Sequence, residues 1–81
     1  MQVAKKQDTP SPLTPDIWLR DLFDARAVRE GAVLRRKARD IERYAGWTRF
    51  AAEIQRRGFR AYRNGSQVII FCNTEPIERI A

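Results

Sequence analysis

The sequence predicts a small α+β domain in which three N-terminal helices pack on a C-terminal antiparallel β-hairpin. Three observations predict it. Asn64-Gly65 stands between two strand-like runs, the strongest short-range signal for a two-residue hairpin turn. Three segments upstream carry apolar residues at helical spacing, each bounded by start or stop signals. Finally, 43% of the 81 residues are hydrophobic, ordinary for a globular chain and enough for one domain at most.

Residues 1–13 read as a disordered tail: apolar residues are few, and three of the four prolines fall between positions 10 and 15. The domain then occupies 14–81. Thr14-Pro15-Asp16 is a helix start. Thr14 is placed to cap, Pro15 takes the first helical position, and Asp16 complements the dipole. That helix is expected to run to about Val28, with Gly31 as its stop. Ile17, Trp18, Leu19, Leu22, Phe23 and Val28 give it a broad apolar arc, wide enough to need partners on more than one side.

A second helix fits 33–45, where Leu34, Ala38, Ile41 and Ala45 share a face and Arg36, Arg39 and Arg43 oppose it. Val33–Arg36 reads alternatively as a short strand. Gly46 separates this segment from a third helix over Trp47–Arg57, with Trp47, Phe50, Ala51 and Ile54 on one face. Arg49 and Glu53 are spaced for an i,i+4 pair. Gly58 ends the helix.

Phe59–Arg63 and Gln67–Cys72 are the hairpin strands. A turn closed by Arg63 and Ser66 would set Tyr62 against Gln67 and Ala61 against Val68. Phe59, Ala61, Val68, Ile70 and Cys72 then form a core face. Arg60, Tyr62, Gln67, Ile69 and Phe71 form the other, which is either capped by the first helix, burying Ile69 and Phe71, or left as a binding surface. After Cys72, Thr74 caps a short turn with Ile77 and Ile80 inward, or a third strand begins after Pro76.

Composition narrows the chemistry. A single cysteine rules out an intrachain disulfide and a multi-Cys zinc site, and the absence of His removes imidazole catalysis. No apolar run resembles a signal peptide or a membrane span, so a cytoplasmic location without membrane partners is expected. There is no phosphate-binding Gly-rich loop. Asp40 and Glu42 diverge on a helix, and Asp21 and Asp24 lie on a wet face with Arg20. Neither makes an acid/base couple. Cys72 falls on the core face as a small hydrophobe. The expectation is a binding protein with no enzymatic activity, no cofactor and no metal.

The net charge is +6, and residues 31–65 hold ten basic residues against three acidic. Such asymmetry suggests an acidic partner, most often nucleic acid, RNA or DNA. The bland alternative is a solvated surface in an arginine-biased sequence. Two surfaces are candidates for nucleic acid. One is a helical ridge of Arg36, Arg39, Arg43, Arg49, Arg56 and Arg57, whose guanidinium forks suit phosphate. The other is the outer hairpin face, with Arg60 and Arg63 beside Tyr62 and Phe71 as a stacking platform. A helix-turn-helix over 33–57 is a weak third signal. The competing functional reading is a protein-interaction subunit or homodimer, using the Trp18/Phe23 helix or the outer hairpin face.

Two resemblances add to this. Residues 50–71, F-A-A-E-I-Q-R-R-G-F…N-G-S-Q-V-I-I-F, resemble the helix, Gly-Phe, strand, Gly-Ser, strand portion of HicA-type toxins, small double-stranded-RNA-binding-like ribonucleases that pair with an antitoxin. In that family a His follows the Gly-Ser. Here the position is Gln67, so the resemblance implies an RNA-binding-like half-fold without the ribonuclease activity. The run R-R-K-A-R-D-I-E-R-Y-A-G-W-T-R-F-A-A-E-I-Q-R-R-G-F, with the ending V-I-I-F-C-N-x-E-P-I, is similar to short uncharacterised bacterial proteins, some labelled phosphoribosylanthranilate isomerase. That enzyme is a (β/α)₈ barrel of roughly 200 residues or more, and a chain of 81 residues is too short to form one.

Overall fold

A computed structural model describes residues 14–81. The predicted tail over 1–13 lies outside the described residues. The order of elements is α1 (Pro15–Phe23), α2 (Arg26–Arg29), β1 (Val33–Lys37), α3 (Ala38–Tyr44), α4 (Trp47–Arg57), β2 (Arg60–Asn64) and β3 (Gln67–Phe71). The α+β class is as expected: helices accompany a three-stranded antiparallel sheet of order β1-β3-β2.

The first predicted helix divides in two. It starts as foreseen, with the Ile17 amide donating to Thr14 Oγ1 at 3.2 Å and Pro15 in the first turn. It ends at Phe23, where Asp24 and the extended Ala25 interrupt it before α2. Geometry explains the break. On a continuous helix Val28 would lie about 180° from Leu19, nine residues at 100° each. Re-aiming the chain at Ala25 lets Leu19, Leu22, Phe23 and Val28 all reach one core.

The second predicted helix loses its first turn to a strand. Val33–Lys37 pairs along β3 with Leu34 opposite Ile70 and Arg36 opposite Val68. The cause lies in β3 itself. Its Val-Ile-Ile-Phe run is apolar on both faces and would leave a bare apolar edge if it had only one neighbour. β1 covers that edge, and α3 begins directly after it, fastened by the Ala38 amide to the Ser66 carbonyl at 2.8 Å. The third strand is therefore β1. Residues 74–81 form neither strand nor helix, and Ile77 and Ile80 are exposed rather than inward.

α4 occupies its predicted span and closes on Gly58, a left-handed cap at φ 73°. In the hairpin, Gly65 and Ser66 are the two turn residues, and Asn64 pairs with Gln67. The pairing is thus displaced from the expected one: Tyr62 faces Ile69, Ala61 faces Ile70 and Arg60 faces Phe71. Gly65 takes φ 62° at the first central position, where primed turns need positive φ. Each β2 residue moves by two along β3, so the side chains on each face are those expected.

All the helices pack on one side of the sheet. The core joins Leu19, Phe23, Ile41, Phe50 and Ile54 to Val68, Ile70 and Cys72, with Ile41 and Ile70 fully enclosed. α1 lies across the other helices. Trp18 stacks on Tyr44 of α3 with ring centroids 5.9 Å apart, and Asp16 pairs with Arg49 of α4 at 2.6 Å. No helix among the described residues is long and apolar enough to cross a membrane.

Candidate nucleic-acid interface

Among the described residues, no helix lies over the opposite side of the sheet. The pairing places Val33, Arg35 and Lys37 of β1 beside Phe71, Ile69 and Gln67 of β3, and these beside Arg60, Tyr62 and Asn64 of β2. Ile69 and Phe71 are half-buried and outside the core, so the expectation that the first helix caps them is corrected. α1 is committed to the far side of the sheet through Leu19, Leu22 and Phe23. The most open large hydrophobic side chains on the face are Tyr62, 55% exposed, and Val33, 53% exposed.

Tyr62 meets Phe71 edge-on, ring centroids 5.8 Å apart at 84°. The Arg60 guanidinium lies 5.6 Å from the Phe71 centroid, so one Phe71 face is taken and Tyr62 offers the freer ring. Arg35 and Lys37 flank this pair at exposed positions. The face carries Arg35, Lys37 and Arg60 and no carboxylate. It combines what a single-stranded polyanion needs: an open aromatic ring for a base and fixed cations for phosphates.

The predicted helical ridge does not form as one surface. Arg36 is on β1, half-buried on the helix side, with its Nη1 donating to the Arg35 carbonyl at 2.7 Å. Arg49 is paired to Asp16 rather than to Glu53. Arg56 and Arg57 both bind Glu53, and Arg57 also lies 4.7 Å from the Phe23 ring centroid. Hydrogen bonds from Arg56 and Arg57 hold the Glu53 carboxyl below its usual range, against a smaller upward push from burial. These cations are spent on the fold. Arg39 and Arg43 remain exposed on α3, the latter 5.4 Å from the Tyr44 ring. Since 33–37 is a strand, the helix-turn-helix alternative keeps as its first helix only the shortened α3, with Gly46 between it and α4.

Arg63 also leaves the predicted platform. Its strand position faces the helix side, where its guanidinium sits 5.6 Å from the Trp47 ring and its Nε donates to the Gly65 carbonyl at 2.8 Å. Arg35 and Lys37, by contrast, join the open face without having been singled out. Their signal was the alternation of Val33–Lys37, which puts residues 33, 35 and 37 on one side of a strand.

Cys72 is buried at the end of the core, and that burial pushes its thiol pKa up. That burial disfavours the reactive thiolate form. No group of three or more Cys, Asp and Glu side chains among the described residues is placed to hold a metal ion. Phe23 is 3% exposed and Trp18 is stacked on Tyr44, so the α1 stripe is core and not a free docking surface. No family model, curated protein or solved structure matches the chain.

Proposed function

We propose that this chain is a small, non-enzymatic binding module for single-stranded nucleic acid, acting as a regulator or accessory factor through the open face of its sheet. One observation carries the reading: an uncovered sheet face on which Tyr62 and Phe71 sit among Arg35, Lys37 and Arg60 with no carboxylate between them. Stacking on Tyr62 supplies contact that every base can use, and the cations supply the salt-sensitive part. Arg39, exposed on α3, lines a cleft at the Lys37 end of β1 together with Arg63 and the carboxylate of Glu42.

The test is fluorescence anisotropy with labelled single-stranded RNA and DNA oligonucleotides over a salt series. Three engaged cations give a slope of log affinity against log salt of about −2. Tyr62→Ala is expected to lower affinity about fivefold, the low end of what one stacked base contributes. Absence of binding at low salt, or binding indifferent to Tyr62, Arg35 and Lys37, overturns the proposal. A protein partner is the second reading, favoured by Val33 beside Phe71 on the same face. Contact of that apolar kind is held or strengthened by salt.

A further inference from the structure

We infer that two copies of the chain join edge to edge through β2, giving a continuous sheet across a twofold axis. β2 is an edge strand among the described residues. A two-residue turn closes on a pair that exchanges backbone bonds, and such pairs alternate along an antiparallel ladder. Asn64–Gln67 is that closing pair, so Tyr62 and Arg60 also direct their backbone groups toward β3. The N–H and C=O groups of Ala61 and Arg63 therefore point away from the sheet, toward whatever lies beside this edge.

The edge is complementary to itself in the register centred on Tyr62. Centred on Tyr62, antiparallel pairing sets Ala61 against Arg63 of the second copy, so the outward groups of both meet. It sets Arg60 against Asn64 and Tyr62 against its own equivalent, and no like charges oppose each other. Recentring on Arg63 would place that arginine against itself, which costs stability.

Edge strands commonly repel partners with charges directed off the edge. Both arginines of β2 are instead tied to backbone acceptors of their own copy, although Arg63 stays exposed at the groove beside the edge. Arg60 Nη2 donates to the Asn73 carbonyl at 2.9 Å, and Arg63 Nε to the Gly65 carbonyl at 2.8 Å. Beside the same edge, on the helix side, α4 and β2 leave an apolar groove of about 370 Å³, floored by Phe50, Ile54, Ala61 and Val68. Trp47 and Ala51 stand exposed on its rim. The pairing puts both α4 helices on one side of the joined sheet, where each groove meets the rim of the other copy. The pairing stands whatever the open face binds. If that face binds nucleic acid as proposed, joining two sheets lengthens the platform.

Sedimentation equilibrium of the full, nuclease-treated chain tests the inference. The expected result is a species of twice the 9.5 kDa protomer mass, favoured by added salt because two chains of net charge +6 repel each other less. Arg63→Pro removes the outward amide without touching the β2–β3 ladder, and Ala51→Arg fills the groove from an exposed helix position. Each is expected to yield the monomer with an unchanged far-ultraviolet spectrum. If Arg63→Pro impairs folding, Ala51→Arg alone decides. A wild-type chain that is monomeric at every concentration, or a dimer untouched by Ala51→Arg, overturns the inference. Salt separates this failure from failure of the nucleic-acid reading, since salt strengthens the pairing and weakens oligonucleotide binding.

Discussion

Arg60 reaches along the open face to Asn73 and is held there twice, its Nη2 donating to the Asn73 carbonyl at 2.9 Å and to Oδ1 at 3.2 Å. Asn73 in turn donates from Nδ2 to the Gly31 carbonyl at 2.7 Å and accepts the Glu75 amide at 3.0 Å. One side chain thus ties the start of β2, the loop before β1 and the segment after β3. Arg60 Nε is buried with no partner among the described residues, so the acceptors of Asn73 are what hold this arginine in place. Asn73→Ala removes three bonds and leaves the Gly31 carbonyl unpaired. It is expected to cost about 1–3 kcal/mol, read as a lower urea midpoint with unchanged slope.

The turn makes a sharper test of register. Gly65 is at φ 62° with no atom within 4 Å of an added Cβ, so Gly65→Ala meets a backbone cost alone. That cost is about 1–2 kcal/mol. Asn64 pairs with Gln67 as a strand residue, and its exchange for Ala is expected to stay within about 0.5 kcal/mol. Had Asn64-Gly65 been the turn, both residues would need positive φ and both substitutions would be costly. Thermal melts of the two variants distinguish the registers.

Glu53 predicts an acid-sensitive contribution to stability. Hydrogen bonds from Arg56 and Arg57 depress its pKa in the folded chain below the ordinary 4.5. The unfolded chain binds the proton first as pH falls, so the contribution is complete above about pH 4.5 and disappears through the lower folded pKa. Glu53→Gln is expected to lose about 0.5–1 kcal/mol at neutral pH and to flatten the pH dependence of stability below 4.5. Urea titrations at stepped pH measure both.

The sequence made some of this legible and not the rest, for reasons that lie in particular residues. Local chemistry was readable: Thr14 caps α1, Gly58 caps α4, and the two faces of the hairpin carry the side chains expected. What failed was wherever a distant contact decides. Leu34, Ala38, Ile41 and Ala45 fit a helix by spacing, but Leu34 is needed opposite Ile70, thirty-six positions away. That one strand moved Arg36 off the helical ridge and brought Arg35 and Lys37 onto the sheet face. The tie from Asn73 to Gly31 gave no local signal, since that partner is forty-two positions distant. Ion pairs were equally hidden. Arg49 had Glu53 within one turn yet binds Asp16 on another helix, and Glu53 is taken by Arg56 and Arg57.

That redistribution yields the decisive contrast for the proposed interface. Arg35 and Arg49 are both exposed cations from the same basic segment, but Arg35 stands on the open face and Arg49 is bound to Asp16 at 2.6 Å behind it. A reading from net charge alone treats them as equivalent. The geometry does not. Arg35→Gln removes a cation beside Ile69, across β3 from Tyr62, and should reduce the salt slope of single-stranded binding by about 0.7 with several-fold lower affinity. Arg49→Gln breaks an exposed ion pair, costing stability by about 1 kcal/mol or less, and should leave the slope unchanged. Equal loss in both variants means that diffuse charge, not the sheet face, attracts the polyanion, and the interface drawn through Tyr62 is then wrong.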